Sequence, residues 1–163
     1  MLDVEQFADE IAQHHAEFFA ANPKGEVPHH CVIFTTDDSM IVECGWATAE
    51  ERAAMLGALA ALMEKMNAVR YVVTSEAWML VRRLDQPGPF PADNYRQGDL
   101  AKHPERVEVV TTLVVDISGA IASRFQEIVR DENGAVVELK AVPSQGTVGE
   151  GALASLLPTG TMH

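Results

Sequence analysis

Only two cysteines, Cys31 and Cys44, occur in the 163 residues, too few for a scaffold stapled by disulfides. Basic residues are scarce as well. Twelve Lys and Arg stand against 24 Asp and Glu, a formal net charge of −12 and a sequence pI near 4.8. Such a field repels phosphate backbones, and Arg82-Arg83 is the one adjacent basic pair, so nucleic acid is not an expected partner. No apolar run approaches the ~20 residues that span a bilayer. The acidic, amphipathic start Met1-Leu-Asp-Val-Glu-Gln has none of the basic-then-apolar order of a targeting segment. The expectation is a cytoplasmic protein that binds no membrane.

Glycine-rich nucleotide loops are missing too. Gly149-Glu150-Gly151 follows no strand of the required kind and lacks a Lys, so no nucleotide cofactor is expected. Asp131-Glu132-Asn133-Gly134 is turn chemistry, too short in oxygen ligands for a calcium loop. Zinc wants thiolate and imidazole in a tetrahedron. His29-His30-Cys31 with Cys44 is the one group of that type, but neighbours on a strand point to opposite sides. Two small buried thiols, with no metal, is the reading adopted. Ser75-Glu76 with His103 has the residue types of a hydrolytic site, yet Ser75 falls within a strand rather than on a strained turn. No catalytic residue is assigned, and a non-enzyme is favoured.

What is present is 47% apolar and 22% charged residues, ordinary for a globular domain able to bury its own core. Asp3 with Gln6 suits a helix start, and Val4, Phe7, Ile11, His15 and Phe18 repeat every three or four residues as one apolar stripe. Asn22-Pro23-Lys24-Gly25 stops that helix. Two strand-like runs, 31–36 and 40–44, flank Asp37-Asp38-Ser39. A two-residue Asp37-Asp38 turn would set Ile33 opposite Val42 and Cys31 opposite Cys44. Thr48-Ala-Glu-Glu51 is a capping box opening a second helix, striped by Met55, Leu56, Leu59, Leu62, Met63 and Met66 and ended by Asn67.

A strand over about 71–81 follows. After a Pro/Gly-rich loop from about Leu84 to Glu105, a strand with Val107, Val109, Leu113 and Val115 on odd positions begins. A three-residue Ile117-Ser118-Gly119 loop sets Val115 opposite Ile121 and Thr111 opposite Phe125. Asn133-Gly134 marks the last hairpin. The order helix, hairpin, helix, four strands makes an α+β fold economical: two layers, a mostly antiparallel sheet, two amphipathic helices on one face. One domain is expected over residues 1–142. A C-terminal tail is expected over 143–163, with room for a short helix, and its run at 152–157 is either a docking tail or a frayed end.

The stretch Ser75-Glu76-Ala77-Trp78, followed after the Pro-rich loop by His103-Pro-Glu-Arg-Val-Glu108, resembles a family of small uncharacterised bacterial proteins, partly phage-associated, over about residues 70–139. The resemblance carries no activity. It implies that the Trp78 strand and the His103-Pro104 turn recur as one unit, with Pro104 holding His103 extended.

Function is expected on one sheet face and its loop. Glu76, Trp78, Arg82, Glu108, Thr112, Arg124 and Gln126 would share the face, and the 84–105 loop, with Tyr95 and His103, would lie over it. The leading expectation is a non-enzymatic interaction module that self-associates as a dimer, with Trp and Arg as anchors. The alternative is a small-molecule-binding protein or enzyme using the same face beneath the loop. The residues put forward are Glu76, Trp78, Arg82, Tyr95, His103, Glu108 and Arg124.

Overall fold

The computed structural model describes residues 2–80, 102 and 104–143. Helix α1 (Val4–Ala21) opens on Asp3, whose carboxylate accepts the Gln6 N–H at 2.8 Å. This satisfies one of the four backbone donors that a helix start leaves over. Strands β1 (His30–Phe34) and β2 (Ser39–Glu43) form a hairpin, and helix α2 (Ala49–Met66) follows. The Thr48 hydroxyl accepts the Glu51 N–H at 3.1 Å. The Glu51 carboxylate reaches one residue further back than a simple box requires, to the Ala47 N–H at 2.7 Å. Asn67 ends the helix in the left-handed region, φ 53°, which a short amide side chain tolerates.

Strands β3 (Arg70–Leu80), β4 (Arg106–Asp116), β5 (Ile121–Arg130) and β6 (Val136–Ala141) complete an antiparallel sheet of order β2-β1-β3-β4-β5-β6. The expected β4–β5 register holds, with Val115 opposite Ile121 and Thr111 opposite Phe125. Gly119 sits at φ 82° in the three-residue loop.

The first hairpin departs from expectation. Phe34 pairs with Ser39 and Cys31 with Val42, so the loop is four residues, Thr35–Asp38, not two. The Thr35 hydroxyl accepts the Asp38 N–H at 3.0 Å and the Thr35 N–H bonds the Asp38 carbonyl at 2.9 Å. That local network holds the longer turn. Cys31 and Cys44 are therefore diagonal rather than opposite, though both remain buried in one cluster. Burial pushes the Cys31 thiol up to about 12. Among the described residues no group of three or more His, Cys, Asp or Glu is placed to hold a metal.

The larger correction concerns layers. Leu59 and Met63 of α2 pack with Cys31, Ile33, Tyr71, Val73 and Val115. Val4 and Ala8 of α1 pack with Val72, Val114 and Ala122. The registers put Val72 beside Val114, and Tyr71 beside Val115. Because successive strand residues point to opposite faces, the helices lie on opposite sides of the sheet. The molecule has three layers, and not two helices on one face. Consecutive buried pairs such as Val72-Val73, Val109-Val110 and Val114-Val115 follow from that, since β3 and β4 meet apolar partners on both faces.

Candidate functional site

Helix α1 crosses over β4 and β5 and reaches β6. Its first turn meets Val72, Val114 and Ala122, and Phe19 near its end meets Val110 and Ile128. The chain then swings back across the sheet. The Pro23 carbonyl accepts the Val136 N–H at 2.7 Å. Val27 gives its N–H to Glu76 Oε1 at 2.6 Å, and His30 starts β1. Between helix and return segment lies the α1-side face of β3, whose Val72 and Thr74 are themselves buried. A cleft of about 340 Å³ sits there, within the usual range for small-molecule sites, ~300–1,000 Å³.

Val32, Val72 and Thr74 on the strands, Ile11 and Phe18 on the helix, and Val27 and Pro28 on the return segment line the cleft, with His14, His15 and His30 among them. Aliphatic and aromatic carbon dominates the walls, so the imidazoles supply most of the polarity.

Two of these rings are held by oxygen. Gln126 Nε2 donates to the Ala12 carbonyl at 3.2 Å, which points Gln126 Oε1 at His15 Nδ1, 3.3 Å away. His30 Nδ1 lies 2.7 Å from the Pro28 carbonyl. His15 is buried. Desolvation, above all, pulls its pKa below the usual imidazole value, opposed by the Gln126 bond and helped by His30 and His14. His14 lies outward, 3.2 Å from Glu17 Oε2.

Of the residues read as a mixed sheet face, the registers put the described ones, Glu76, Trp78, Glu108, Thr112, Arg124 and Gln126, on the side that α1 covers. Arg124 holds Asp9 at 2.7 Å and Glu5 at 2.8 Å. Gln126 is engaged by α1 as described, and Thr112 is buried. Glu108 receives a two-pronged bond from Arg130, at 2.8 and 2.9 Å, and Arg130 stands 3.9 Å from Glu76. Burial raises the Glu76 pKa, against the Val27 N–H bond that lowers it. Trp78 stands apart from the cleft, 41% exposed, with the Arg106 guanidinium 4.7 Å from its ring centre. Arg82, Tyr95 and His103, most of the 84–105 loop, and the tail from residue 144 lie outside the described residues.

Glu76, Glu108 and Arg124 thus serve contacts within the fold, and the cleft is built from residues that sequence reasoning did not group. The signal available was His15 inside an apolar helical stripe, with a second His pair just past the helix. No protein-family model matches the chain, and neither curated proteins nor solved structures give a match.

Proposed function

We propose that this protein binds a small, largely apolar molecule in the cleft between α1, the 27–30 segment and strands β1 and β3. The observation that carries the reading is the cleft itself: apolar walls around a few imidazoles. Concave sites combining an apolar lining with a few fixed polar groups are the usual form of small-molecule sites. The ligand lies on the same sheet face as Trp78 but nearer β1, with Thr74 rather than Trp78 at its floor.

Titration with a neutral alkylbenzene, followed by NMR, tests this. Saturable shifts are expected at Ile11, His15, Val32 and Thr74. An Ile11→Trp variant, which adds bulk to the cleft wall, should lose them while keeping its thermal midpoint. Shifts that never saturate, or that survive in this variant, would overturn the proposal.

A second reading, self-association, has its own support at the other end of the sheet. Strand β2 is an edge among the described strands, and Ile41 on it is 70% exposed, with Met40 exposed beside it. An exposed apolar edge is a template for strand addition. A twofold axis at Ile41 would set Met40 opposite Val42 and Ser39 opposite Glu43, bringing no like charges face to face. Ile41→Lys should convert the assembly to monomer in analytical ultracentrifugation. A wild-type chain that sediments as a monomer at high concentration would end this reading.

A further inference from the structure

Resting on the cleft reading, the geometry points to a ligand class: an apolar molecule carrying a hydroxyl or N–H donor, taken by Nε2 of His15 or Nε2 of His30. The argument concerns which ring nitrogen each histidine has left.

A carbonyl oxygen can only accept, so the Gln126 end that lies against the Ala12 carbonyl must be the NH2. The amide oxygen then faces His15 Nδ1, which must carry the ring proton. His30 is fixed in the same sense, because the Pro28 carbonyl against its Nδ1 is an acceptor alone. A neutral imidazole with its proton on Nδ1 keeps its lone pair on Nε2. Both rings line the cleft, and no described hydrogen bond engages either Nε2.

The cleft therefore presents acceptors rather than donors. The Thr74 hydroxyl can act as either, so it does not reverse the balance. Among the described residues no Lys or Arg lines the cleft. A carboxylate or phosphate would bring its own lone pairs against those of the imidazoles, with no Lys or Arg in the described lining to meet its charge. An alcohol, phenol or amide N–H gives its hydrogen to one of the two acceptors while its carbon body fills the walls. Burial of His15 supports the neutral form in which this holds.

Three matched probes decide the matter at about pH 8, where a free imidazole is neutral: para-ethylphenol, its methyl ether and para-ethylbenzoate. The phenol should bind about tenfold tighter than the ether, the size of one well-formed hydrogen bond, and the benzoate most weakly. Equal affinity of phenol and ether would overturn the donor inference while leaving the cleft reading intact. Binding by none of the three would remove both. A benzoate that binds tightest would also overturn the donor inference.

His15→Phe and His30→Phe keep ring volume without the acceptor, and the one whose nitrogen takes the donor should lose the phenol preference. Should a Phe variant fail to fold, the Leu variant at that position replaces it. A preference retained in full by every folded variant would show that these nitrogens are not the acceptors.

Discussion

Glu76 shows how much a residue's role depends on neighbours remote in sequence. Its carboxylate accepts the Val27 N–H at 2.6 Å, lies 3.9 Å from Arg130, and is raised in pKa chiefly by burial, with Glu108 adding to the effect. The folded state therefore holds this proton more tightly than the unfolded chain does. By linkage, the Glu76 contribution is full below the ordinary value of 4.5 and is lost as pH rises through the raised folded value. Glu76→Gln keeps an acceptor for Val27 and removes the titration. Its stability relative to wild type should be more favourable at neutral pH than at about pH 4. Urea unfolding at both values checks this, and a difference that is flat or of opposite sign would refute the assignment. The chain showed Glu76, Glu108 and Arg124 as one face, because period-two alternation survives any choice of partner. It did not show that α1 and Arg130 would engage them. His15 was likewise readable as a member of the α1 stripe. Its place in a cleft depends on the path of residues 22–29, which no local pattern encodes.

At the level of elements, hairpins divide by whether glycine sets the turn. In β4–β5, Gly119 at φ 82° occupies a conformation that glycine adopts without strain, and the register could be read from its position. The Asp116 carboxylate accepts from the Ser118 N–H at 2.9 Å and the Ala120 N–H at 3.3 Å, tightening the loop. Open space surrounds the position a Cβ would take at Gly119, so Gly119→Ala meets no clash and its cost is that of backbone strain alone. A loss of about 1 kcal/mol is expected, read as a lower urea midpoint at unchanged slope. A neutral outcome would mean that the loop relaxes to negative φ. In β1–β2, by contrast, no glycine marks the turn. The Thr35 hydroxyl bonds within the loop and lengthens it by two residues, a choice that dipeptide preferences for Asp37-Asp38 did not reveal. Because the shift is an even number, the faces stayed correct while the partners moved.

At the scale of the molecule, the question is why the helices took opposite faces. The runs Tyr71-Val72-Val73-Thr74 and Val109-Val110 were visible, but their odd positions matched a one-faced sheet, and the even ones mixed apolar with charged residues. That mixture arises because α1 meets its face partly through ions: Val72, Val110 and Val114 are packed, whereas Arg124 and Gln126 are bonded to the helix. The α2 side is the drier one, where Met63, Leu59, Tyr71, Ile33 and both cysteines are buried together. On the proposed function each side of the sheet carries a different task, stability on the α2 face and the ligand cleft on the α1 face. Met63→Ala tests that separation. Met63 is fully buried, and its truncation should cost about 2–5 kcal/mol through lost burial and the cavity left behind. Because Met63 packs on the side of the sheet away from the cleft, the variant, studied well below its melting range, should bind the alkylbenzene probe within about twofold of wild type, as sites without shared partners act independently. Loss of binding in step with stability would instead mean that α2 packing shapes the cleft through the shared strands β1 and β3. The Ile11→Trp variant should show the converse pattern, with stability kept and binding gone.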